Sequence, residues 1–161
     1  MKTFVEEKLL ALEQGCRQRG LSMTVQRRAI LENLAGRHDH PTADQIYGAI
    51  KDQLRGVSRT TVYRVLEAFV QLGIAQKICN PDAKARFDAD IRRHHHAICI
   101  CCEQVVDVHD EQLNDLHLPV GQLAGFNLVD YSVSFIGVRA DCRSTYQADS
   151  KYFIFPKKGE Q

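Results

Sequence analysis

The stretch Ser58-Arg59-Thr60-Thr61-Val62-Tyr63-Arg64-Val65-Leu66-Glu67-Ala68-Phe69-Val70-Gln71-Leu72-Gly73 reads as one amphipathic helix. Val62, Val65, Leu66, Phe69 and Leu72 recur at the spacing of a single buried face, Ser58 is a capping residue and Gly73 a terminator. The remaining positions hold Arg59, Thr60, Thr61, Tyr63 and Arg64, crowded toward the N-terminal end. Short hydroxyl residues and arginines there can approach a phosphate backbone, and Tyr and Arg can reach base edges or thymine methyls. The alternative reading is an ordinary helical domain whose arginines form a solvated face.

What flanks this helix gives it a setting. Upstream, Val5, Leu9, Leu12 and Cys16 mark a first helix over Phe4 to Arg19, ended by Gly20. Thr24 caps a second, with Val25, Ala29, Ile30 and Leu34 inward and Gly36 as stop. Thr42 caps a third, carrying Ile46, Ala49, Ile50 and Leu54 and closed by Gly56. Downstream, Ile74 to Cys79 and Ala85 to Asp88 are short alternating runs around Asn80-Pro81-Asp82, the pattern of a hairpin. Helices, an exposed basic helix and then a hairpin describe the winged variant of helix-turn-helix. This assigns residues 1–90 to a winged-helix DNA-binding domain.

Charge is distributed accordingly. The 161 residues carry 21 Lys+Arg against 20 Asp+Glu, a near-neutral sum that at first argues against nucleic acid. Between Arg17 and Arg64, however, 9 basic residues face 4 acidic ones, a local +5, whereas residues 91–161 have 7 against 9. No apolar run approaches the roughly 20 residues that cross a bilayer, and the N-terminus has no apolar signal core. A cytoplasmic protein without membrane partners is expected. Its six cysteines then sit in a reducing compartment as ligands or redox groups rather than as disulfides.

From His94 the texture changes. His94 to Ile100 and Gln104 to His109 look like paired strands joined by a Cys-rich turn. Glu111 to Leu123 suggests a helix that Pro119 can split, Asn127 to Val138 a third strand, and Lys151 to Phe155 an added strand or docking segment. The strand period puts His94 and His96 on one face and His95 on the other. Two such imidazoles can chelate one divalent ion, and Asp107 and Asp88 can add oxygen ligands. Nitrogen and carboxylate donors suit Fe²⁺, Mn²⁺, Zn²⁺ or Co²⁺ alike. A surface basic patch following Arg92-Arg93 is the alternative. Cys99 and Cys102 have the spacing of half a structural zinc site, but only Cys142 lies downstream, so His109 or Asp141 would have to complete it. A free or redox-active thiol cluster is the other reading of these cysteines.

Taken together, Thr24-Val25-Gln26-Arg27, His40-Pro41-Thr42-Ala43-Asp44, Thr60-Thr61-Val62-Tyr63-Arg64-Val65-Leu66, Arg86-Phe87-Asp88 and His94-His95-His96-Ala97-Ile98-Cys99 stand in an order that resembles the ferric uptake regulator family. The resemblance runs from about Arg19 to Cys142. It implies an α+β chain with an N-terminal winged helix-turn-helix domain and, over 91–161, a small α/β dimerisation domain. It implies a metal-dependent repressor that binds double-stranded operator DNA as a homodimer, with no small-molecule substrate. By position, Tyr63 and Arg64 match the base-contacting pair, Arg27 the phosphate contact, and His40, Asp88, His94, His96 and Asp107 a regulatory site for Fe²⁺ or Mn²⁺, with Zn²⁺ an alternative there or at Cys99, Cys102 and Cys142. Aspartate at both carboxylate positions resembles the peroxide-sensing branch, in which His40 and His94 would be oxidised. The alternative within the family is an iron- or zinc-responsive regulator without peroxide sensing. Two departures stand out: Arg139 replaces the first cysteine of the family's second C-x-x-C, and Tyr131 and Asn114 replace a His and a Glu of an additional metal site, which is not assigned here.

Outside the family, a His/Asp metal site could activate water for hydrolysis. A saturated ligand set and the lack of a nucleophile-base motif or a phosphate-binding Gly loop weigh against a hydrolase. A metal-storage or thiol-redox protein would leave the arginines of the fourth helix without a role.

Overall fold

The computed structural model describes residues 2–78, 84–116, 125–126 and 129–144. The chain divides into two compact units, Met1–Arg93 and His94–Gln161.

The first unit is four helices and a two-stranded hairpin: α1 Phe4–Gln18, α2 Val25–Ala35, α3 Ala43–Ile50, α4 Arg59–Gln71, β1 Gln76–Ile78 and β2 Arg86–Asp88. Each helix begins on a hydroxyl cap. Thr3, Thr24, Thr42 and Ser58 accept from the N–H three residues on, and Thr3 and Thr42 are returned by Glu6 and Gln45 as capping boxes. Gly73, at φ 68°, takes the left-handed turn that ends α4. Leu12, Ile30, Leu31, Leu34, Ile46, Val62, Leu66, Phe69 and Phe87 are all at most 1% exposed and form one core. At about 1.5–3 kcal/mol for each large apolar side chain removed from water, this burial fixes the helix packing. The hairpin is antiparallel with Lys77 opposite Phe87 and Gln76 opposite Asp88, so the core residue Phe87 anchors the strand whose next residue is Asp88. This is a winged helix-turn-helix.

Three expectations need correction here. Val25 is 73% exposed rather than inward, because N1 of a helix capped by Thr24 lies before the buried stripe begins. Ala49 is exposed as well. The third helix stops at Ile50, and residues 51–56 form turns, which bring Leu54 to the core's margin from outside the helix.

In the second unit, β3 His95–Cys99 pairs antiparallel with β4 Val105–Val108 and parallel with β5 Ser134–Gly137, in the order β4-β3-β5. A four-residue helix, α5 Glu111–Asn114, follows β4 behind the Asp110 cap, and a 3₁₀ turn spans Ala140–Cys142. The third strand begins at Ser134 rather than Asn127; within the expected span, Val129 to Val133 are not strand. The turn at Asn80-Pro81-Asp82, the continuation of the helix over 117–124, and Lys151 to Phe155 lie outside the described residues. Among the described residues, no helix is long and apolar enough to cross a membrane.

Candidate metal centre and nucleic-acid interface

In the first unit His40 and Asp88 come together because the loop before α3 is laid along β2. Phe87 N donates to Pro41 O at 3.0 Å, Arg86 Nη1 to His40 O at 3.0 Å, and Thr42 bridges Arg86. His40 is thereby held at φ 48°, a left-handed conformation that costs a non-glycine residue of order 1 kcal/mol and that gathers at functional sites. Its Nε2 lies 3.7 Å from Asp88 Oδ2, with His40 3% and Asp88 9% exposed. Asp88 is oriented by Gln76, whose Nε2 donates to Oδ2 at 3.0 Å, and by the N–H of Asp90, which donates to Oδ1 at 2.8 Å. Gln76 also donates to Asp90 O at 2.7 Å.

The second unit supplies the other donors. His96 stands opposite Asp107 in the β3–β4 register. His94 Nε2 and His96 Nε2 lie 3.3 and 3.8 Å from Asp107 Oδ1, and the two rings are 4.7 Å apart. Both histidines are buried, whereas Asp107 is exposed. Donors bound at 2.0–2.1 Å to one tetrahedral ion stand about 3.4 Å apart, so two imidazole nitrogens and a carboxylate at these spacings fit a divalent cation with little rearrangement. His95 points to the other face, fully buried. Its Nδ1 accepts from Val133 N at 3.2 Å, and its ring stacks on that of Tyr131 at 6.3 Å. Tyr131 Oη in turn donates to Leu113 O at 2.8 Å and accepts from Leu116 N at 3.0 Å.

The Sγ atoms of Cys99, Cys102 and Cys142 lie within 4.8 Å of one another. Burial works against ionisation of Cys99, but the backbone N–H groups of Arg139, Cys102 and Cys101 and the Cys102 side chain bring its thiol down to about 6. A hydrogen bond to Cys102, then burial, push Cys142 up to about 12. Arg139 occupies the fourth side of the cluster. Its N–H donates to Cys99 Sγ at 3.4 Å, and its side chain is held by Gln104 and Asp141. A guanidinium has no lone pair to give a metal, so these residues do not make the closed four-thiolate shell of a structural zinc site. Neither residue suggested to complete that site does so. Asp141 Oδ2 accepts from Arg139 Nη2 at 2.7 Å, and the His109 ring lies 5.6 Å from His94.

The basic end of α4 faces two concavities of the first unit. One, of about 550 Å³, is lined by Arg27, Ser58, Thr60, Thr61 and Arg64; the other, of about 440 Å³, by Thr42, Asp44, Arg59, Thr60, Tyr63 and Lys84. Arg64 and Tyr63 are exposed. Arg59 lies over the Tyr47 ring at 5.3 Å with its Nε 3.7 Å from Asp44, while Arg27 is drawn back onto Ser22 O. Tyr63 packs edge-on against Phe87 at 6.4 Å and accepts from Lys77 Nζ at 3.4 Å, so the α4 surface is braced by the wing.

Three supporting residues, Gln76, Asp90 and Lys8, carry no motif and escape a reading of the sequence, and Arg86, though part of a motif, shows its role only through its bond to His40 O. Lys8 is a buried lysine of α1 whose Nζ donates to Ile74 O at 3.0 Å; burial lowers its pKa, and Asp90 and Asp88 oppose that shift. Period-2 alternation in β1 could have indicated Gln76, since it stands directly opposite Asp88.

Residues 18–136 match the Ferric uptake regulator family. The chain is 34% identical over 139 residues to the peroxide-responsive repressor PerR of Staphylococcus aureus, spanning 86% of this chain and 94% of that protein. The ferric uptake regulator Fur of Helicobacter pylori shares its fold, with a TM-score of 0.74 at 20% identity over 93% of this chain and 100% of the other. The Pseudomonas aeruginosa ferric uptake regulator with manganese gives 0.63 at 27% identity over 80% and 97%. A match running through both units, over a winged helix with a basic α4 and a His/Asp donor set on the β3–β4 pair, means that the chain belongs to the ferric uptake regulator family of metal-dependent transcription repressors.

Proposed function

We propose that this chain is a peroxide-responsive, metal-dependent repressor that binds operator DNA as a homodimer. In this reading His40 and Asp88 of one unit and His94, His96 and Asp107 of the other share one Fe²⁺ or Mn²⁺. An ion holding both sets favours one arrangement of the winged helix, and that differential affinity is what couples metal to DNA. The observation that carries the reading is a donor set in each unit, each with imidazole nitrogen and aspartate oxygen 3.3–3.8 Å apart and each on a backbone fixed by the core or the sheet. Fe²⁺ bound there supplies the chemistry that lets hydrogen peroxide oxidise an adjacent imidazole. The chain's own part is to hold His40 and His94 with buried rings beside the carboxylates, so that oxidation of either removes a ligand.

Arg64 and Tyr63 read base edges, and Arg27 and Arg59 with the Thr60 and Thr61 hydroxyls hold phosphates; the two concavities at the end of α4 support this. The dimer rests on the apolar sheet face of the second unit, where Val106 and Phe135 flank Ala97 and remain 45% and 44% exposed. A regulator rather than a hydrolase is favoured, because no nucleophile-base motif or phosphate-binding Gly loop accompanies the donors, and a hydrolase would leave the arginines of α4 without a role. Mass spectrometry after Fe²⁺ and hydrogen peroxide tests the peroxide reading: one added oxygen on the His40 or His94 peptide supports it. Unmodified histidines with Fe²⁺ still bound contradict it and leave a plain metal sensor.

A further inference from the structure

The metal and DNA sites leave the cysteine cluster without a role. Cys99 ends β3, Cys102 lies in the turn into β4, and Cys142 closes the 3₁₀ turn after β5. The turn is tight: Cys99 N donates to Gln104 O and Glu103 N to Cys99 O, both at 2.9 Å, with Glu103 at φ 59°. The three sulfurs approach within 4.8 Å without a disulfide. Cys102 is exposed, and Cys99, itself 3% exposed, lines a concavity of about 260 Å³ together with Gln104, Phe135 and Arg139. Arg139, whose side chain is held by Asp141 and Gln104, lies beside the cluster with its N–H on Cys99 Sγ at 3.4 Å. A cation at that place repels a dication in the cluster and has no lone pair to offer it. The arrangement is therefore suited to nucleophilic sulfur chemistry rather than to closed metal ligation.

We propose that Cys99 and Cys102 form a reversible dithiol–disulfide pair whose oxidant is a hydroperoxide, with Arg139 as the residue that keeps a metal ion out of the cluster. The Cys102 thiolate attacks the O–O bond of hydrogen peroxide, forming an S–O bond and releasing hydroxide, which is protonated to water. The Cys99 sulfur then attacks the Cys102 sulfenic acid, forming the S–S bond and expelling the oxygen as a second water. The two thiols lose two electrons and two protons, and the peroxide is reduced to two waters. The sulfurs must close to about 2 Å, a movement that side-chain rotation on an exposed turn can supply.

This proposal does not depend on the regulatory ion, so its test uses the full chain freed of metal by a chelator. Hydrogen peroxide should remove two thiols per chain and lower the intact mass by about 2 Da for two lost hydrogens, with peptide mapping to Cys99–Cys102 and full recovery in dithiothreitol. C102S should abolish the intramolecular disulfide and C101S should retain it. R139C, which restores a fourth thiolate, should gain one chelator-resistant zinc per chain. Circular dichroism of each variant confirms folding. A wild-type chain that keeps one zinc through chelation with unreactive thiols overturns the proposal. Disulfide formation undiminished in C102S overturns it equally.

Discussion

Replacing Arg64 by alanine isolates DNA contact from folding. The side chain is exposed on the outer face of α4, and among the described residues no carboxylate or carbonyl pairs with it. Surface substitutions of this kind stay within about 0.5 kcal/mol, so the urea midpoint should be unmoved. Tyr63 is a poorer probe, because its ring packs on the core residue Phe87 and its hydroxyl accepts from Lys77, and truncation would mix stability with recognition. On DNA, one base contact is worth roughly 1–3 kcal/mol. A dimer applies the change twice, so the loss should be at least about 2 kcal/mol, or about thirtyfold in affinity. Fluorescence anisotropy with an operator duplex, selected from random DNA by the Mn²⁺-loaded protein, measures it across a salt series. A base contact leaves the slope of log K against log salt nearly intact and relaxes sequence preference; a phosphate contact lowers the slope by about 1 per protomer. Affinity within twofold of wild type with an unchanged slope and preference refutes the recognition role of α4's basic end.

Three further outcomes follow from the structure. Phe87→Ala removes a ring that is 0% exposed, and should cost about 3–5 kcal/mol in urea unfolding while loosening the strand that carries Asp88. Asp107→Asn keeps the shape but not the charge that faces His94 and His96. Metal affinity should fall at least about tenfold; at a Mn²⁺ concentration near 100 times the wild-type Kd, the stabilisation seen by thermal melts should drop from about 2.7 to about 1.4 kcal/mol. Lys77 Nζ, 2.6 Å from Glu67 Oε1, holds that carboxyl below its ordinary value of 4.5. A carboxylate with a lowered folded pKa adds stability that is present above the unfolded value and lost as pH falls. Lys77→Met should therefore flatten the decline in stability below about pH 4.5, read from urea midpoints against pH.

Local rules explain what the sequence made legible. The hydroxyl caps at Thr24, Thr42 and Ser58 and the apolar stripe of α4 act over three or four residues, so they were readable from spacing alone, whereas the Thr3 cap was not read. His94, His96 and Asp107 were legible because strand period and hairpin register fix which residues face each other. The pairing of His40 with Asp88 was not derivable from spacing, since it depends on hydrogen bonds from Arg86 and Phe87 to a loop 46 residues away. The end of the third helix at Ile50 escaped notice because Leu54 continues the apolar spacing while folding back through a turn. The Cys99–Cys102–Cys142 grouping was suggested by sequence, but Arg139's contact with it was not, because only the β3–β5 pairing brings residue 139 beside residue 99.

In the proposed function, metal bound by the His/Asp donors controls operator affinity. Anisotropy titrations of the selected duplex, with chelator-treated protein before and after Mn²⁺ is restored, test it most directly, with His94→Ala as the matched variant. Binding should be weak without metal and strong with it, and His94→Ala should show no Mn²⁺ response while its circular dichroism stays native. Equal operator affinity with and without metal, or a full Mn²⁺ response in the variant, would contradict it.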